Sequence, residues 1–310
     1  VHAFTSWQQN LLEPRTQLRQ ITEFGRALEI ALPAALRQPA RTPWNKPIGG
    51  TRRAAVTEMS FQEVRGIRSA LGGTVNDVML TIIGGALGRY LADHGVKTEG
   101  ITLRLMIPVN VRAEGEKGAL GNRVSMMLPE IQVGITDPTE RLAAVRAEME
   151  RLKSSNQANA FEALVRFVDN LPAAYHALLG SGGVPPGGAN LVCTNVPGPM
   201  IPLYSVGHRM LAHYPMVPLA GDMGIGVGIT SYDKSLYLGI MCDPNVISDV
   251  DLIATYCAAE FKALREAAGV PVSDLPDFGT RPARSGNGQN GHAANIPDEP
   301  AAKQEPVAST

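Results

Sequence analysis

The residues able to do chemistry in this 310-residue chain are few, and most are polar rather than reactive. Thr74-Val75-Asn76-Asp77 sets an amide beside a carboxylate just ahead of an apolar run. Thr74 can cap a helix by accepting from its free N–H groups, and Asp77, three positions on, suits the positive end of that helix. Asn76 and Asp77 then occupy the first turn of a largely buried helix. There each must be hydrogen-bonded or cost about 1–3 kcal/mol. The pair reads either as a helix-positioning cap or as residues that order a site. The histidines, His2, His94, His176, His208, His213 and His292, are never adjacent and lack metal-ligand spacing with Cys, Asp or Glu. His208 and His213 bracket one segment, where a hydrogen-bonded surface histidine is a plainer reading than a general base. Gly180-Ser181-Gly182-Gly183 has no Gly-Lys-Ser/Thr after it and no Gly-x-Ser-x-Gly spacing, so it reads as a loop. Gly224, Gly226 and Gly228 alternate along an expected strand and leave one of its faces without side chains. Close packing and a channel for an extended ligand are both open for that face.

Composition narrows the classes. A net charge of −1 argues against a general nucleic-acid binder, which needs a basic surface to neutralise phosphates. Cys193, Cys242 and Cys257 lie far apart, so neither a zinc site nor a disulfide framework is expected, and a reducing compartment is the default. No apolar run approaches the roughly 20 residues of a spanning helix. The chain begins at Val1 rather than Met, which fits either a removed segment or a piece of a longer polypeptide.

The elements that must position these residues follow from periodicity and caps. Residues 1–50 read as a basic amphipathic helix between Pro14 and Pro39, then a Pro- and Gly-rich connector with one aromatic anchor, Trp44. Residues 51–270 read as one domain, and 271–310 as a disordered tail too poor in large apolar residues to offset chain entropy. Within the domain, Arg53–Met59, Ile101–Val109, Arg123–Val133 and Ala189–Asn195 are expected strands. Leu203–Tyr214, 221–230 and Leu236–Cys242 are expected as antiparallel strands, the last two joined by the turn Tyr232-Asp233-Lys234-Ser235. Ser60 with Glu63 predicts a capping box on a short helix before Gly72-Gly73. The central helix, on the apolar spacing Val75, Val78, Met79, Ile82 and Ile83, ends at His94-Gly95. Asp137-Pro138-Thr139-Glu140 opens a helix to about Ser154, Phe161–Leu179 is another, and Ser248 is expected to cap the last. Glu114–Asn122 is expected to be a mobile loop.

Several motifs occur in order: Pro43-Trp44-Asn45-Lys46-Pro47-Ile48-Gly49, Thr74-Val75-Asn76-Asp77-Val78, Ile107-Pro108-Val109-Asn110-Val111-Arg112, Gly121-Asn122 and Asn195-Val196-Pro197-Gly198-Pro199. Together, over about residues 41–269, they resemble the C-terminal half of the bacterial wax ester synthase/acyl-CoA:diacylglycerol acyltransferase family. The resemblance implies an α+β fold: a chloramphenicol acetyltransferase-like half, an α/β sandwich with a mixed, largely antiparallel sheet. It implies acyl transfer from acyl-CoA to a diacylglycerol or fatty alcohol, with no resident cofactor. It also implies active-site support from Asn76 and Asp77. For Arg112, Asn122 and Asn195, and for the glycine strand at Gly224, Gly226 and Gly228, it implies a place at the substrate tunnel or domain interface. In that family the general base belongs to an HHxxxDG motif, and no such motif occurs in this sequence.

The expectation is therefore a non-proton-transferring portion of a triacylglycerol- or wax-ester-forming enzyme, inactive alone and partnered by an N-terminal HHxxxDG half. It would be cytoplasmic, with a peripheral place on the inner face of the plasma membrane or on a lipid droplet, and with no nucleic-acid partner. The alternative is a non-catalytic lipid- or partner-binding domain that kept the fold. A third reading makes it a lone enzyme with His208 or His213 as base.

Overall fold

A computed structural model of the chain describes residues 38–110, 124–155, 159–160 and 188–273, with Gly25 and Glu29 as isolated helical positions. The expected helices before Pro39 and over Phe161–Leu179, Arg112 and the expected loop Glu114–Asn122, and the expected tail from 274 lie outside the described residues. In chain order the elements are β1 (Arg53–Ser60), α1 (Phe61–Leu71), α2 (Val75–Asp93), β2 (Thr102–Asn110), β3 (Val124–Met127), β4 (Glu130–Gln132), α3 (Pro138–Ser154), β5 (Leu191–Val196), β6 (Tyr204–Ser205), β7 (His208–Arg209), β8 (Ile225–Tyr232), β9 (Ser235–Cys242) and α4 (Val250–Ala267).

The main sheet has the order β1-β9-β8-β5-β2-β3, with β4 also on β2. β1, β9 and β8 pair antiparallel, β8, β5 and β2 pair parallel, and β3 and β4 both run antiparallel to β2. This is the mixed, largely antiparallel sheet expected. The strand expected over Arg123–Val133 is split. Met127 opposes Ile107 and Glu130 opposes Arg104, so β3 and β4 keep one register on β2. Between them Pro129 has no N–H to give, and only its carbonyl joins the ladder, accepting from Leu105 N at 3.0 Å.

Alternation along the strands separates two apolar layers. Leu103, Leu105 and Ile107 of β2, Leu191 and Cys193 of β5, and Ile225, Val227 and Ile229 of β8 join the helices in the main core. Met106 and Val192 face the other way, onto a smaller cluster with Leu128, Val217 and Met223. α2 is apolar on nearly every side and is correspondingly buried among α3, α4 and the sheet. The β8–β9 turn is tight: Asp233 and Lys234 have φ of 41° and 73°, the left-handed pair that matches strand twist.

Three expectations change. Leu203–Tyr214 is no sheet strand; it yields only the small β6–β7 hairpin, off the main sheet. The N-cap of α4 is Asp249, not Ser248, and no side chain caps the helix there. Asp249 is engaged elsewhere: Tyr90 Oη donates to its Oδ1 at 2.7 Å, and its Oδ2 lies 3.0 Å from His94 Nε2. Finally, Ser60 Oγ accepts from Glu63 N at 3.3 Å, but the Glu63 carboxylate turns to Ser273 and Arg265, where two donors and a cation outweigh a capping contact.

Candidate active-site face

The site begins at the break between α1 and α2. Gly72 and Gly73 have φ of 81° and 88°, a region closed to most side chains, and the two helices meet at 99°. That turn presents the N-terminus of α2. Thr74 Oγ1 accepts from Asp77 N at 3.2 Å while Asp77 Oδ2 accepts from Thr74 N at 2.8 Å, a reciprocal capping box. Asp77 is 4 % exposed, and its Oδ1 has no hydrogen-bond partner among the described residues. The cap therefore uses only half of this carboxylate, and an unpartnered buried oxygen is costly.

The neighbouring Asn76 is half-buried and reaches across to the sheet. Asn195 Nδ2, at the end of β5, donates to Asn76 Oδ1 at 3.3 Å. Two of the residues singled out from the sequence are thus brought together. Beyond them the surface turns apolar at once, with Val196 63 % exposed. The turn after it is fixed by Gly198 N donating to Ser231 Oγ at 3.1 Å and by Thr230 Oγ1 donating to Val196 O at 2.9 Å.

The glycine strand is placed differently from a channel wall. A Cβ on Gly228 would stand 2.9 Å from Pro215 Cβ, and one on Gly226 3.3 Å from Val217 Cγ1 and Leu219 Cδ2. Gly224 lies against Trp44 O and Val246. The chain's own segment Pro215–Leu219 and the connector fill the bare face, so close packing is what those glycines serve here. Arg112 and Asn122 lie outside the described residues.

Sequence reasoning missed the buried network that sets the height of β5. Asn190 Oδ1 accepts from Arg104 N at 2.8 Å, and its Nδ2 donates to Ala40 O at 2.7 Å and Asn45 Oδ1 at 2.8 Å. Trp44, fully buried, donates Nε1–H to Asn190 O at 3.0 Å. Arg104 is 2 % exposed and pairs with Glu130 at 2.7 Å. The Trp44-Asn45 pair inside a Pro-rich stretch was the available signal; its partner Asn190 sits 145 residues away and leaves no local trace.

None of the described histidines makes a contact with Asn76, Asp77 or Asn195. His208 and His213 are exposed on or just after the β6–β7 hairpin, and His94 is stacked on Tyr90 at the far end of α2. Burial pushes the Cys193 thiol up to about 12, and that of Cys257 higher still, so neither is a nucleophile. Among the described residues no cluster of His, Cys, Asp and Glu could hold a metal.

The fold is shared with two solved structures of different kinds. It overlays the epimerization domain of tyrocidine synthetase B with a TM-score of 0.52 and 9 % identity over 80 % of this chain and 56 % of that one, a likeness of fold alone. It overlays the wax ester synthase/diacylglycerol acyltransferase of Marinobacter aquaeolei VT8 with a TM-score of 0.58 and 25 % identity, over 81 % of this chain and 58 % of that one. Residues 7–79 match the wax ester synthase/diacylglycerol acyltransferase catalytic domain, and residues 120–265 match the WS/DGAT C-terminal domain. A Mycobacterium tuberculosis protein named "Probable diacyglycerol O-acyltransferase tgs1" is 33 % identical over 232 residues, 74 % of this chain and 49 % of that one. The chain belongs to the wax ester synthase/diacylglycerol acyltransferase family. It spans about half the length of the relatives it matches. Asn76 and Asp77 fall in the catalytic-domain match and Asn195 in the C-terminal one, so the amide contact ties the first match to the second.

Proposed function

We propose that this chain is part of an acyl-CoA-dependent O-acyltransferase that makes triacylglycerol or wax esters. In this reaction the hydroxyl oxygen of a diacylglycerol or fatty alcohol attacks the thioester carbonyl. The C–O bond forms, the C–S bond breaks, and the proton from the hydroxyl ends on the CoA thiol. The observation that carries the reading is the Asn195–Asn76 contact, made by two family motifs at the first turn of α2. These two amides and Asp77 hold the floor of the site in register. Proton transfer comes from outside the described residues, from a part of the family that carries the HHxxxDG base. The acyl donor is water-soluble and the acceptors are lipids, which favours work at the cytoplasmic face of a membrane. No single helix among the described residues is long and apolar enough to cross one.

The test is transfer of labelled acyl groups from acyl-CoA to diolein and to hexadecanol. It is run with this chain alone and with this chain joined to the region of the tgs1 relative that it does not match. A general base contributes about 10²–10⁴-fold, so the joined protein should be at least about a hundredfold faster. Robust transfer by this chain alone would contradict the reading.

A further inference from the structure

The turn between α1 and α2 carries no side chain of its own, and arginines gather on it. Arg146 of α3 takes the space: a Cβ on Gly72 would stand 2.9 Å from its Nη1, and one on Gly73 2.9 Å from its Cδ. Arg146 Nη1 donates to Leu71 O at 2.8 Å. From α1, Arg68 Nε donates to Gly73 O at 3.3 Å. Two guanidiniums thus hold one turn, and both residues are exposed. Arg65, also exposed, lies one helical turn before Arg68 on the same face of α1.

A single cation would serve as a cap for the last carbonyls of α1. What sets this pair apart is the missing counter-charge. Other exposed arginines have one: Arg53 pairs with Asp251, Arg151 with Glu148 and Arg209 with Asp233. Among the described residues neither Arg68 nor Arg146 has a carboxylate partner; Glu63 is taken by Arg265 and Ser273, and Glu150, one turn past Arg146, pairs with neither. Most N–H donors of both guanidiniums are therefore open to a ligand, and that planar fork matches the oxygens of a phosphate.

We infer that Arg68 and Arg146, with Arg65 beside them, bind the phosphate groups of the acyl donor's CoA. The inference rests on the acyltransferase reading and assigns the charged end of that substrate to one turn. Gly73 leads straight into Thr74 and Asn76, so the cations border the floor of the site. Acyl-CoA is a polyanion at one end and apolar at the other. The face matches it, with cations before Asn76 and the exposed Val196 beyond Asn195. The N-terminus of α2 does not supply the attraction, because Asp77 Oδ2 already caps it.

The test titrates CoA into the full chain and reads binding by calorimetry. Arg68→Gln and Arg146→Gln should each weaken CoA about tenfold, and affinity should fall as salt rises. Glutamine keeps an N–H for the carbonyl, so thermal midpoints should move little. Arg89→Gln, at a cation held over the Tyr256 ring, should bind CoA as the wild type does. Unchanged CoA affinity in the two stable variants overturns the inference, and so does a wild-type chain that binds no CoA. Displacement of CoA by inorganic phosphate or by phosphatidylglycerol vesicles at equal concentration overturns it too, by assigning the arginines to a free anion or a lipid headgroup. In the joined protein the same variants should raise KM for acyl-CoA about tenfold at nearly constant kcat, the mark of lost substrate binding rather than a disturbed site. A joined protein that binds CoA through the arginines without acyl transfer would sink the proposed function and leave the subsite. Transfer with an unaltered KM in both variants would do the reverse.

Discussion

The guanidinium of Arg141 lies directly over Gly85, in the space a Cβ there would need. From α3 it reaches across α2 to Glu260 of α4, Nη1 to Oε2 at 2.7 Å, with Arg141 3 % and Glu260 18 % exposed. Its remaining donors go to Ile135 O and Thr136 O, each at 3.1 Å. One bare position on the most buried helix thus lets a single side chain join three helices.

That relationship reverses the usual preference for alanine in a helix, about 1 kcal/mol over glycine. Gly85→Ala should displace the guanidinium and leave Glu260 without its cation. Breaking a buried pair costs about 3–5 kcal/mol, and the residual exposure of Glu260 puts the loss near 3 kcal/mol. Urea denaturation measures it; a neutral or stabilising substitution would show that the pair is not held by the missing Cβ.

Glu63 supplies a pH dependence. Burial raises its carboxyl, but the hydroxyl and N–H of Ser273 and the Arg265 guanidinium lower it further, below the usual 4.5. The folded value lies under the unfolded one. The stabilisation is therefore complete above the unfolded value and fades as pH falls through the folded one. Glu63→Gln should lower stability at pH 7 and flatten the acid limb of the stability profile below about 4.5. Parallel profiles for the two proteins would remove Glu63 from the acid response.

The buried thiols give a simple labelling prediction. Burial pushes Cys242 up to about 11 and Cys193 up to about 12. Native protein at pH 8 should react with a thiol reagent at Cys193, Cys242 and Cys257 only at the rate of unfolding. Fast labelling of Cys193 in folded protein would mean that β5 opens locally.

What could be read in advance was local chemistry. Asp137-Pro138 and Thr74 with Asp77 announced their helix starts because capping is settled within one turn. Tyr232–Ser235 announced its hairpin because two residues decide the turn. Asn76 stood out by its place in the first turn of a buried helix and Asn195 by motif resemblance, and nothing in either local pattern says that they touch. The box at Ser60–Glu63 and the cap expected at Ser248 failed alike: the carboxylates at those helix starts, Glu63 and Asp249, are claimed by partners distant in sequence, Ser273 and Arg265 for one, Tyr90 and His94 for the other. Leu203–Tyr214 alternates like a strand, yet the strand it would join already pairs on both sides with β5 and β9. The glycine face shows the same limit, since the pattern reveals a bare surface but not which segment lies on it.

The account turns on Asn76 and Asn195 acting as one unit beneath the site. The most direct measurement is a double-mutant cycle on kcat/KM for acyl transfer by the joined protein, with Asn76→Ala, Asn195→Ala and both together. The amide contact contributes about 0.5–1.5 kcal/mol net to stability, so thermal midpoints should move little. Each single change should slow transfer by about tenfold or more, and the double variant should be hardly slower than the worse single one, as expected of coupled neighbours. Unchanged kinetics in the stable single variants, or losses that simply multiply, would contradict the claim.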